Sequence, residues 1–293
     1  MSASSAHRQL EQLRDLPITY DLVIGDFGRE AATRYVNILA QEERRFLERF
    51  LAKTGTPFFD EYRRIMFTLV ADIAFLKHGM IHRTWSEHGR LTDDVLVAVK
   101  AHEVPEDLRR ELAAVIQDGV ASAKRRGYGT VRVVMPCNSL SDVLTGAVDR
   151  VTHEQVDFAD VVAHGVIQSA IEQLRSTGCI GDSPILVLGS SLAQDQYREA
   201  GATFGLDVLA VSAEQQALID EAVTICIGGD ERALARIRGS LESQIIAPAR
   251  EVYGDIPVLE ACTDFDFGLG HDSVRLLARR MVAEAYVGLT QSR

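Results

Sequence analysis

The feature that most constrains the fold of this chain is an alternation. Short apolar, β-rich runs at 20–24, 95–99, 131–135, 185–188, 206–211 and 256–259 read as strands. Between them, helices are expected over about 30–53, 58–80, 105–126, 157–176, 193–204, 213–227, 230–252 and 272–289. A strand that is apolar throughout is buried on both faces, and an intervening helix supplies the crossover that parallel pairing requires. The expected class is therefore α/β with parallel sheets, in two similar units. The expected division is a polar arm at 1–17, a first α/β domain at 18–150 plus 265–293, and a second at 151–264. The first domain carries an extra helical segment at about 41–90.

Composition narrows the function classes. The formal net charge of the 293 residues is −11, which argues against a nucleic-acid partner and against an anionic membrane surface. No window resembles a membrane span, and residues 1–16 lack the apolar core of a secretory signal. Cys137, Cys179, Cys226 and Cys262 are widely spaced, with no C-x-x-C pair, so a reducing cytoplasmic setting is expected.

Ligands of parallel sheets lie beyond the carboxyl ends of the strands. Gly25, Cys137, Gly189 and Cys262 are all expected there. Cys137 is followed by Asn138 and Ser139, and Cys262 by Thr263 and Asp264. A thiol between a strand and a helix start lies near backbone N–H groups that favour the thiolate. Two such thiols facing one another suit proton removal from one side of a carbon and proton return to the other. Asp26, in the turn Gly25-Asp26-Phe27-Gly28, is a carboxylate that could tune a nearby thiol. Ser190 and Ser191 offer hydroxyl donors after Gly189, or simply cap the next helix. Cys179 and Cys226 read as packing residues, and His271 as a capping or surface group. His78 and His82 have helical metal spacing without a third ligand, so no metal is expected. No phosphate-binding loop, dinucleotide fingerprint or nucleophile elbow is present.

Three segments carry a resemblance. Ile24-Gly25-Asp26-Phe27-Gly28-Arg29-Glu30-Ala31-Ala32-Thr33 is similar to the N-terminal glycine turn of the aspartate/glutamate racemase superfamily. Pro136-Cys137-Asn138-Ser139 resembles that superfamily's first cysteine motif, and Ala261-Cys262-Thr263-Asp264 its second. The chain departs from the family at Leu140-Ser141, where many aspartate racemases carry His, and at Asp264, where Glu is usual. The resemblance implies two flavodoxin-like parallel-sheet α/β domains related by pseudo-twofold symmetry, with the active site in the cleft between them. It implies catalytic roles for Cys137, Cys262 and Asp26. It places Gly25, Phe27, Asn138, Ser139, Ser190, Ser191, Thr263 and Asp264 around the substrate, with no cofactor and no metal. The implied activity is racemisation or epimerisation of an acidic or related amino acid by a thiol/thiolate pair, in a homodimer. Within the same superfamily, one Cys can instead serve decarboxylation of a malonate-type acid or cis–trans isomerisation of a maleate-type acid. A non-catalytic protein that binds a small acid is the remaining alternative.

Overall fold

A computed structural model describes residues 3–25, 31–70, 106–138, 141–154, 161–180, 183–228, 231–263, 265 and 267–290. Two parallel sheets organise them. The first has the order β2-β1-β3-β4, built from β1 (Thr19–Ile24), β2 (Ile65–Val70), β3 (Thr130–Met135) and β4 (Val162–Gly165). The second has the order β5-β6-β7, built from β5 (Leu186–Leu188), β6 (Val258–Glu260) and β7 (His271–Asp272).

Side-chain alternation along the strands sets the layers. In β1 and β3, Leu22, Ile24, Val131 and Val133 face outward onto α3 (Glu106–Arg125) and α4 (Ser141–Glu154). Val23 and Val134 face the other way. In β5 and β6, Leu186, Leu188 and Val258 meet α7 (Ala213–Gly228), α8 (Glu231–Leu241) and α9 (Ala247–Tyr253). Val187 and Leu259 point inward. Between the sheets lie α2 (Ala31–Ala52), α5 (Val166–Ser176), α6 (Ser191–Thr203) and α10 (Ser273–Ala285), in one continuous core with Val23, Val134, Val187 and Leu259. The sequence of layers is helix, sheet, helix, sheet, helix. A short α11 (Val287–Thr290) closes the chain.

Charge is also buried in the central layer. Arg132 of β3 grips the neighbouring Asp21 of β1 through two hydrogen bonds, of 2.7 and 3.0 Å, and donates to the carbonyl of Met281 on α10 at 2.7 Å. Asp21 is fully buried and Arg132 nearly so. A buried guanidinium needs all its partners, so this pair locks α10 to the first sheet at one height.

Several expectations are corrected. Residues 58–80 do not form one long helix. Asp60–Tyr62 is a single 3₁₀ turn and residues 65–70 are strand β2, the parallel neighbour of β1. The spacing of Ile65, Met66 and Leu69 fits either period, and pairing with β1 decides it. Residues 71–80, the strand expected at 95–99, His78 and His82 lie outside the described residues. The helix expected at 157–176 begins only at Val166, because residues 162–165 form β4. Of the strand expected at 206–211, Val208 alone makes a bridge, to Ile185. The N-terminal arm is helix α1 (Ala3–Asp15), anchored by the fully buried Leu13. Arg64 holds its end by donating to the carbonyls of Leu13 and Arg14. β4 pairs into the first sheet and β7 into the second. Among the described residues, no helix is long and apolar enough to cross a membrane.

Candidate active site

Each sheet reverses its winding direction beside a cysteine. In the first sheet β1 connects outward to β2, while β3 lies on the other side of β1. The crevice at such a reversal opens beyond the carboxyl ends of β1 and β3, where Gly25 and Cys137 lie. In the second sheet the Val208 bridge lies on one side of β5 and β6 on the other. Gly189 and Cys262 follow the ends of β5 and β6. The fit is close there: a Cβ on Gly189 would stand 3.1 Å from the Cβ atoms of Ala193 and Ala261.

Cys137 is buried and Cys262 half-buried. The residue after each is held by a partner from a distant part of the chain. Asn138 is 5% exposed, and its Oδ1 accepts a hydrogen bond from the Tyr197 hydroxyl of α6 at 2.9 Å. Thr263 is buried, and its carbonyl accepts from Arg34 Nη1 of α2 at 2.8 Å. The same guanidinium donates from Nη2 to Asp272 Oδ2 at 2.7 Å. Asp272 also caps α10 through the N–H of Val274. Burial raises the Tyr197 phenol far above its ordinary pKa, and the neighbouring Asp272 carboxylate adds to that effect. The phenol is therefore a permanent donor to Asn138. Two separate hydrogen-bonded sets hold the segments that follow the cysteines: Asn138 with Tyr197, and Thr263 with Arg34 and Asp272.

The first of these sets leaves donors to spare. With Oδ1 of Asn138 occupied by Tyr197, its Nδ2 has no hydrogen-bond partner among the described residues. Gln194 precedes Tyr197 by three residues on α6, which places both on one helical face. Gln194 is 3% exposed, and its Nε2 is likewise unpartnered. Buried amide donors without an acceptor are costly, about 1–3 kcal/mol each, unless a ligand or water satisfies them. A carboxylate offers the acceptors such a pair lacks.

The Cys262 loop is built from behind. Glu260, 1% exposed, turns its carboxylate back to accept the N–H groups of Phe267, Leu269 and Gly270 at 2.9, 2.6 and 3.1 Å. The Phe265 N–H closes the turn onto the Cys262 carbonyl at 3.0 Å.

Of the residues expected at the site, Gly25, Cys137, Asn138, Cys262 and Thr263 are at strand ends as read. Ser190 accepts the Ala193 N–H and caps α6, and Ser191 opens that helix. Asp26, Phe27, Ser139 and Asp264 lie outside the described residues. Reading the sequence did not find Arg34, Gln194, Tyr197, Glu260 or Asp272. Asp272 could have been found as an Asp directly before a helical run. No local signal marks Tyr197, whose role depends on a partner 59 positions away.

The sequence matches no protein-family model and no curated protein. Solved structures with a similar course do exist. An aspartate racemase from Picrophilus torridus is 14% identical, with a TM-score of 0.52 over 91% of this chain and 94% of that one. An aspartate racemase homologue from Pyrococcus horikoshii is 15% identical, with a TM-score of 0.50 over 91% and 98%. A protein assigned as an Asp/Glu racemase from Yersinia pestis is 10% identical, with a TM-score of 0.54 over 92% and 99%. The shared fold agrees with the resemblance read from the glycine turn and the two cysteine motifs.

Proposed function

We propose that this chain is a cofactor-independent racemase or epimerase of an acidic or related amino acid, with Cys137 and Cys262 as its two acid–base groups. The observation that carries the reading is that each thiol stands at a strand end and the residue after it is anchored from a distant helix, Asn138 by Tyr197 and Thr263 by Arg34. In this reading the two sheets are the two flavodoxin-like halves, and the substrate lies between the ends of β1 and β3 and the ends of β5 and β6. The neighbouring racemase structures support the arrangement at the level of fold.

The α-hydrogen of an amino acid is only weakly acidic, so its removal needs a placed base and a stabilised carbanion. One thiolate takes the proton from one face, and the opposite thiol delivers a proton to the other. The two titrations are coupled, since each turn begins with one sulfur charged and its partner neutral. The Nδ2 of Asn138 and Nε2 of Gln194 hold the substrate carboxylate, with Thr263, Ser139, Ser190, Ser191 and Asp264 around it. Gly25 and Phe27 shape the first turn, and Asp26 orients the adjacent thiol. A cytoplasmic homodimer is the setting this reading expects.

The test is incubation with L- and D-aspartate and L- and D-glutamate in heavy water. The expected result is loss of optical rotation with one deuterium entering at Cα. Release of carbon dioxide from a malonate, or isomerisation of a maleate without amino-acid turnover, would replace this reading with the thiol-dependent alternatives. Binding without any turnover would replace it with a small-acid-binding protein.

A further inference from the structure

Beside the Cys262 loop lies a cavity of about 260 Å³, open to solvent, between the β6–β7 loop and α10. Its polar lining comes from Glu260, His271, Asp272, Arg275 and Arg279. Among the described residues, none of Cys137, Asn138, Cys262 and Thr263 lines it.

The charges in this lining are unequally committed. Both acidic groups are spent: Glu260 on three backbone N–H groups, Asp272 on Arg34 and the cap of α10. The basic groups are not. Arg275 gives Nη1 to Glu42 Oε1 at 2.6 Å, and Arg279 gives Nε to Glu42 Oε2 at 3.2 Å. Arg45 donates to the same Oε1 at 2.7 Å. Three guanidiniums therefore share one carboxylate. Burial works against the charge on Glu42, but hydrogen bonds from Arg275 and Arg279 more than offset it and keep its carboxyl below the ordinary range. The remaining N–H groups of Arg275 and Arg279 have no acceptor among the described residues. A guanidinium presents five donors in a fixed fork that matches an oxyanion. His271 stands beside them, its pKa lowered by burial and by the Arg279 charge.

We infer that this cavity binds a small oxyanion, a phosphate or carboxylate group carried by a metabolite, held between Arg275 and Arg279 with His271 alongside. The same wall carries Glu260, which ties the Cys262 loop, and Asp272, which holds Arg34, the donor to the Thr263 carbonyl. The cavity thus adjoins the loop of the second cysteine, and among the described residues it shares no lining with those proposed to hold the substrate. Binding here does not depend on turnover, so the inference stands or falls separately from the proposed racemase.

The test is calorimetric titration of the full chain with sodium phosphate and, separately, with sodium succinate, at ionic strength held constant with chloride. Saturable one-to-one binding is expected for at least one anion at millimolar concentration or below, weakened about tenfold by Arg279→Gln. Arg198→Gln, an equal charge change at an exposed position of α6, should leave it unaltered. Arg279→Lys, which keeps the charge and loses the fork, should bind at an intermediate level, and it serves if the Gln variant fails to fold. The His271 imidazole resonance should titrate at higher pH when the anion is bound. The phosphate and succinate arms distinguish the two ligand types. Absence of saturation by both anions up to about 10 mM overturns the inference. So does equal weakening by Arg279→Gln and Arg198→Gln, or binding that ignores Arg279 altogether.

Discussion

Asn138 can show a ligand its amide nitrogen only because Tyr197 occupies the other end of the side chain. Burial drives the pKa of the phenol upward, so it keeps its proton and remains able to donate to Oδ1. Tyr197→Phe removes the constraint while keeping the ring that fills the core. KM for the amino acid is expected to rise about tenfold, equivalent to about 1.4 kcal/mol, with kcat little changed, because a carboxylate contact is made alike in ground and transition states. Equal loss in kcat, or no change at all, would remove Tyr197 from the site. At this scale the sequence was informative wherever a residue's position is set locally. The strand-end positions of Cys137, Asn138, Cys262 and Thr263 are legible because a strand end followed by small polar residues is a local pattern. Tyr197, Arg34 and Gln194 are not, because their roles arise from contacts between distant helices and loops.

Elements were legible in proportion to how apolar they are. β1, β3, β5 and β6 are buried runs and were read from sequence, while β4, with Val162 exposed and His164 buried, carries no such run. β2 is apolar, yet its edge position leaves Met66 and Phe67 exposed, a pattern that helical spacing imitates. β7 has only two residues and exists because the loop before it is stitched to Glu260. Gly270 makes that stitching possible: a Cβ there would fall 2.2 Å from the Val258 carbonyl oxygen. Gly270→Ala is therefore expected to cost about 2–4 kcal/mol in urea unfolding and to displace the β6–β7 loop. Gly189→Ala, whose added atom meets other Cβ atoms at 3.1 Å, should cost less. The reverse order would show that the loop tolerates movement that the strand junction does not.

Across the whole molecule, the central helical layer joins the two sheets through buried polar groups as well as through its core. Asp21→Asn would leave the buried Arg132 charge with only the longer contact to Glu284, at 3.6 Å, and a loss of about 3 kcal/mol is expected from unfolding curves. A second group gives the joint a pH dependence. His164 of β4 is buried, with Nε2 3.2 Å from Glu284 of α10. Burial, with the charges of Arg132 and Arg280, pulls its pKa from 6.5 down to about 3. Between those values the unfolded chain binds a proton that the folded chain refuses. Stability is therefore undiminished above about pH 6.5 and falls as the pH drops below it, by at most about 1.4 kcal/mol per unit from this residue. His164→Gln should flatten the dependence of the urea midpoint between about pH 5 and 6.5. An unchanged slope would assign the effect to other groups. The α/β class was legible from alternation alone. The alignment of the two sheets was not, because it rests on α2, α5 and α10 meeting across long stretches of chain.

The central claim is that two sulfur atoms serve one carbon from opposite faces. It is tested most directly by measuring kcat/KM in both stereochemical directions for Cys137→Ser and Cys262→Ser on the amino acid that the wild-type chain turns over. Each single substitution is expected to lower both directions by at least about a hundredfold. Wild-type rates in either variant would contradict the two-thiol mechanism.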